Sequence, residues 1–459
     1  MHRIKRSVSF LIFAVLLFTV PLVGRPAEHL RVATFQVDAT PPLGSPLCTG
    51  ALPPARLVVA PLSARGLALL GAGKPIVLVA VDWGLIANEG MDEWRETLAK
   101  AAGTTFDRVS VHELNIHDAP GYDPTTERIL NDLGLGGQIY DAAFAHQTIV
   151  RAADALRVAL QKPVTVTSIG LGQGKVEQVA SNTWVTGQDG KPLFRSGAWR
   201  TPAQRDAPEG KIDPYVRLVS LWNGNQPLLA LTFYASKSEA FMGNGLVDVG
   251  FVGLARAARE AAQPGVAQIY FDGAGANVTP GKYNDGSAGM QAILGQRLAA
   301  GMEAAWNAQT KVSLNPSEVD WRQVTVGLPL GDRLSNKDRV LQELHDPSVQ
   351  FVARSRVARD LAWIELCEKG RRISLQALRL GPAYLVFSEG ELFVEYQLAT
   401  EAMKPGRFVA MAAYGGSGVG VVCTKDAYSA GVPEAIFSRT SGGAEEVVMA
   451  AIRALLERP

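Results

Sequence analysis

The stretch Pro75-Ile-Val-Leu-Val-Ala-Val-Asp82 decides the fold class. An unbroken apolar run between a proline and an aspartate reads as a strand buried on both faces, as in parallel or mixed sheets covered by helices. Residues 91–101 then carry a helical pattern, and Arg108-Val-Ser-Val-His112 opens another strand. Strand, helix and strand at this spacing form a crossover unit. The alternation continues outward. Strands are predicted at 227–234, 267–271, 383–387 and 408–413, and helices at 144–160, 248–262, 287–309, 392–403 and 443–458. This pattern predicts an α/β fold: a single large domain with a mixed or parallel sheet flanked by helices, and a ligand pocket at the C-terminal ends of the strands. Residues 187–210 are polar and rich in Gly and Pro, and read as a long surface loop. No linker, repeat or low-complexity segment is visible.

The chain has 459 residues, 47% of them hydrophobic and 19% charged, with a formal net charge of +1. A disordered chain would be poorer in apolar residues and richer in charge. A nucleic-acid partner would call for a strongly basic face, so none is expected. Arg3, Lys5 and Arg6 precede an apolar run over 10–20, Pro21 breaks it, and small residues follow at Gly24 and Ala27. Residues 1–27 therefore read as a signal peptide and 28–459 as the mature domain, secreted or periplasmic. Membrane association is expected only through an uncleaved signal segment or a lipid ligand. The cysteines, Cys48, Cys367 and Cys423, are no disulfide framework. One bridge is possible, and three buried thiols are the simpler reading.

Each predicted strand runs into Gly and polar residues: Asp82-Trp-Gly84, Asn115-Ile-His-Asp-Ala-Pro-Gly121, Ser236-Lys-Ser-Glu239, Asp272-Gly-Ala-Gly-Ala-Asn277, Ser388-Glu-Gly-Glu391 and Tyr414-Gly-Gly-Ser-Gly418. Turns alone favour such residues. Six clusters at strand ends point instead to one shared site. If 108–117 is extended, Glu113, Asn115 and His117 share a face and His112 points away. His112 and His117 are then poor partners for one metal. The Gly-rich run after Phe271 lacks dinucleotide spacing, and no nucleophile elbow occurs. Its backbone N–H groups suit an oxyanion, and Thr279 is a candidate nucleophile or polar lining residue. Glu391 fits either the first turn of a helix or a site.

These clusters resemble the neutral/alkaline ceramidase family, in its bacterial ceramidase-like branch. The matching stretches are Phe35-Gln-Val-Asp-Ala-Thr-Pro-Pro42, Ile116-His-Asp-Ala-Pro-Gly121, Phe271-Asp-Gly-Ala-Gly-Ala-Asn277 with Gly281-Lys-Tyr-Asn-Asp-Gly286, and Ser388-Glu-Gly-Glu391 with Phe393-Val-Glu-Tyr396. The resemblance implies zinc-dependent hydrolysis of the N-acyl bond of ceramide-like lipids. It also implies that a C-terminal immunoglobulin-like domain is missing here. The family holds zinc with two His, a Glu and a Tyr. The matching positions here are Asn115, Lys237, Glu391 and Val421, and a substrate-holding Arg falls at Thr183. Three of four ligands are lost. Asn is a weak neutral donor, protonated Lys repels a cation and Val cannot coordinate.

The pocket is therefore expected to contain Asn115, His117, Asp118, Lys237, Asn277, Glu391 and Val421, with no cofactor bound. His117 and Glu391 are the weak metal candidates, and a shifted site on His117, Asp118 and Glu391 is the alternative. Lys237 is expected to pair with Glu391, at salt-bridge or single-water distance, where the ion would lie. The functional expectation is a ceramidase-like protein that binds a lipid or other small molecule without hydrolysing it. The alternative is a working amide hydrolase with a rearranged metal site, or a metal-free one using Thr279 or Lys237.

Overall fold

The computed structural model describes residues 29–238 and 240–457. The expected signal segment lies outside the described residues. The deciding strand forms at Ile76–Val81 and is buried along its whole length. It is the third strand of a unit in which β1 (Arg31–Asp38), β2 (Ser63–Leu70) and β3 (Ile76–Val81) pair antiparallel. Helix α1 (Glu89–Ala102) then crosses over to β4 (Val109–Glu113), parallel to β3 with Val79 opposite Val111. Helix α2 (Ala142–Ala159) packs on β1 and α1.

The unit recurs twice. In the second sheet β5 (Ser168–Lys175), β6 (Tyr215–Asn223) and β7 (Gln226–Tyr234) run antiparallel. Helix α3 (Gly250–Ala262) leads to β8 (Ala267–Asp272), parallel to β7, and α4 (Gly289–Asn307) follows. In the third, β9 (Val319–Val326) precedes α5 (Phe351–Glu368), β10 (Ile373–Leu380) and β11 (Ala383–Ser388). Helix α6 (Val394–Ala402) leads to β12 (Phe408–Ala412), parallel to β11, and α7 (Ala444–Glu457) closes the described chain. The fold is α/β, but the single expected sheet is three mixed sheets sharing one connectivity. The sequence hides this repeat because the units share only an apolar pattern: Ile-Val-Leu-Val-Ala-Val in β3 becomes Ala-Tyr-Leu-Val-Phe-Ser in β11.

The first two sheets and the inner face of the third bury one core, while the outer face of the third packs on α6 and α7. Close approach depends on glycine in β5. A Cβ on Gly172 would stand 1.9 Å from the Ala305 carbonyl, and one on Gly174 2.1 Å from that of Gly301, so α4 lies directly on the strand. Where the sheets meet, the rings of His112, Phe233, Phe271 and Phe387 pack together, with Phe271 centred 5.7 Å from His112 and 5.3 Å from Phe233. His112 Nδ1 lies 2.8 Å from the Ala413 carbonyl, which only accepts, so Nδ1 carries the proton. Nε2 then accepts from Ser110 Oγ at 2.9 Å. Burial pushes this imidazole down to about 4 and keeps it neutral.

Two local expectations change. Residues 187–210 are not bare loop: Trp184–Thr186 pairs with Pro192–Phe194, and a short helix forms at Pro202–Asp206. All three cysteines are free thiols, but only Cys423 is fully buried. Among the described residues no helix is long and apolar enough to cross a membrane.

Candidate ligand cavity

The third and fourth strands of each unit end around one cavity of about 340 Å³. Beyond β3 come Gly84 and Leu85, and beyond β4 come Asn115 and His117. The loop after β7 supplies Lys237, that after β8 Thr279, that after β11 Glu391, and that after β12 Ser417, Gly420 and Val421. The cavity thus draws on six strand ends. Helix α5 adds Arg356, Arg359 and Asp360, and the segment before α7 adds Glu434, Ile436, Phe437 and Arg439.

Extended backbone ends at Glu113, and Asn115 adopts a left-handed conformation at φ 45°. Asparagine tolerates that region better than most residues. The break separates the three residues placed on one face. Asn115 and His117 line the cavity, and Glu113 does not. Instead Glu113 is fully buried and accepts a hydrogen bond from Ser417 Oγ. Burial pushes its carboxyl well above the usual range, and nearby Glu391 adds to this. The buried Asn115 Oδ1 has no hydrogen-bond partner among the described residues. His117 Nδ1 lies 3.2 Å from Met242 Sδ.

Asp118 and Asn277 lie outside the cavity lining. Asp118 accepts from the Gly243 amide at 3.1 Å, and burial raises its carboxyl to about 6. Asn277 Oδ1 accepts from the Val394 amide at 2.9 Å while its Nδ2 donates to Glu395, so it holds the start of α6. Thr279 lines the cavity, but its hydroxyl donates to the Ser196 carbonyl at 2.9 Å and accepts from the Gly281 amide. No base stands ready to take its proton among these partners. Thr183 also lines the cavity and donates to Glu434. Lys237 and Glu391 line the same cavity.

Sequence reasoning missed α5 and the segment before α7. Val357, Leu361 and Ile364 are buried at helical spacing, and that signal locates α5. Arg439 is buried and pairs with Asp360 at 3.0 Å, while its Nη1 donates to the Gly418 carbonyl at 3.1 Å. Arg333 pairs with the same carboxylate.

Among the described residues no group of three or more His, Cys, Asp or Glu side chains could hold a metal ion. Of Asn115, Lys237, Glu391 and Val421, only the glutamate is an ordinary zinc donor. These residues do not fit catalytic zinc, and the alternative set fails because Asp118 faces Gly243.

No family model matches the chain, and no curated relative matches it in sequence. Solved structures do match. The neutral ceramidase from Pseudomonas aeruginosa aligns with a TM-score of 0.67 at 16% identity, over 94% of this chain and 75% of that one. A ceramidase solved in complex with C2 aligns with a TM-score of 0.67 at 15% identity, over 94% of this chain and 76% of that one. The alignment over 94% of its length gives this chain the neutral ceramidase fold.

Proposed function

We propose that this protein is exported and uses its ceramidase-like cavity to bind an amphiphilic small molecule or lipid, without zinc-dependent hydrolysis. The reading is carried by the donor set: Asn115, Lys237 and Val421 share the cavity wall with Glu391. Zinc at such a site would polarise a carbonyl and generate hydroxide, and these four positions offer one usual donor where catalytic sites use about three. A metal-free route through Thr279 finds no support, because that hydroxyl is spent on backbone partners. The wall is mixed, with Leu85, Phe194, Val421 and Phe437 beside polar groups, as suits a ligand with both characters. Export rests on the basic and apolar pattern of the first 27 residues.

The test is to incubate the purified full chain with a short-chain N-acylsphingosine, with added zinc and with chelator. Thermal stabilisation by the lipid without release of fatty acid, in either condition, is the expected result. Zinc-dependent release of fatty acid would overturn the reading.

A further inference from the structure

We propose that the cavity selects an anionic amphiphile, with the oxyanion on Arg356 and Arg359 and the apolar chain along Ile436 and Phe437. The inference rests on the binding reading above and names the ligand's chemical class. Arg356 and Arg359 are one helical turn apart on α5, and both line the cavity. Neither has a hydrogen bond or ion pair with another described residue, and the Nε of each is buried without an acceptor. An ordinary surface arginine keeps its guanidinium in water. These two are half-buried and cannot do so fully.

The carboxylates nearby leave them unserved. Asp360 is shared between Arg439 and Arg333, and Glu434 is engaged by Thr183. Glu391 and Glu434 line the same cavity but stand beyond ion-pair distance from both arginines. A phosphate, sulfate or carboxylate offers several acceptors, and guanidinium matches that geometry with two donors at once.

The apolar half adjoins the charged half. The Arg356 guanidinium sits 5.0 Å from the centre of the Phe437 ring. Ile436 and Phe437 are 55% and 47% exposed, so an apolar wall opens to solvent beside the cation. A charged head joined to an alkyl chain covers both, whereas a free anion leaves the wall bare.

Calorimetric titration of the full chain with monomeric dodecyl phosphate, N-dodecylacetamide and inorganic phosphate tests this. Dodecyl phosphate is expected to bind about tenfold or more tighter than the neutral amide, as charge-assisted hydrogen bonds imply. The Arg356→Gln/Arg359→Gln double variant should erase that difference. Equal affinity of the two amphiphiles for the wild-type chain would overturn the proposal and leave the binding reading standing. A difference that survives in the double variant would also overturn it. Inorganic phosphate binding as tightly as dodecyl phosphate would refute the amphiphile. Binding of none of the three would sink both readings. The wild-type comparison decides even if the double variant does not fold.

Discussion

Glu391 and Val421 stand opposite each other in a short parallel ladder, and both line the cavity. The ladder places the Glu391 carboxylate beside a valine side chain that cannot coordinate a metal. The pairing is set by backbone, since the Glu391 amide donates to the Gly420 carbonyl at 3.1 Å.

That pairing turns on Gly420, at φ 70° and ψ −151°. Side chains other than glycine avoid this region. A Cβ there would meet the Phe437 carbonyl at 2.4 Å. Gly420→Ala is expected to lower the unfolding free energy by about 1–3 kcal/mol. It should also weaken amphiphile binding, because Phe437 must shift. Denaturant titration and calorimetry check both effects, and unchanged values would mean the loop is not constrained as described.

A second constraint lies at the end of β3. Asp82 is fully buried and holds Arg256 through both carboxylate oxygens, at 2.7 and 2.6 Å. Arg256→Met leaves that carboxylate uncompensated and should cost about 3–5 kcal/mol. The Asp82 carboxyl is held below its usual range: burial opposes this, and Arg256 and Ser63 prevail. Its stabilising contribution is complete above the unfolded value of 3.8 and declines as pH falls below it. Urea titrations at pH 7 and in acid measure both.

Asp272 behaves in the opposite sense. It is fully buried, neither oxygen has a well-formed hydrogen bond among the described residues, and burial raises its carboxyl far above 3.8. The native state keeps a proton that the unfolded state releases, so stability falls as pH rises above that value, by up to about 1.4 kcal/mol per pH unit. Asp272→Asn should reduce this slope and gain stability relative to wild type at pH 8 more than at pH 4. Parallel stability curves for the two proteins would contradict the assignment.

His112 loses stability toward acid. Its folded value of about 4 lies below 6.5, so the unfolded chain takes up a proton that the native chain refuses. Unfolding free energy should decline as pH falls from 6.5 toward 4, and His112→Gln should flatten that decline. A variant with the same pH dependence as wild type would show that another group is responsible.

The buried strands were legible because unbroken apolar runs have few other homes: β3, β7, β8, β11 and β12 fall within a residue or so of their predicted places. The outer strands were not. β5 reads Ser-Ile-Gly-Leu-Gly-Gln-Gly-Lys, and its glycines, which signal a turn in sequence, exist to admit α4. Division into three sheets left no trace in the local pattern. For the cavity, residues following strands were readable, since a strand end fixes its neighbours: Asn115, His117, Lys237, Thr279, Glu391 and Val421 line one space. Asp118 and Asn277 are equally polar and equally close in sequence, but turn to backbone amides instead. Arg356 and Arg359 reach the cavity from α5, whose apolar spacing at Val357, Leu361 and Ile364 marks a helix but not its approach to the strand ends.

The proposed function stands on a cavity wall that does not bind zinc. Equilibrium titration of the full chain with zinc, in competition with a chromophoric chelator, tests it directly. The wild-type chain is predicted to bind no stoichiometric zinc at micromolar concentration. The Asn115→His/Lys237→His/Val421→Tyr triple variant, which restores imidazole and phenol donors around Glu391, is predicted to bind one ion per chain. One tightly bound zinc in the wild-type protein would contradict the account.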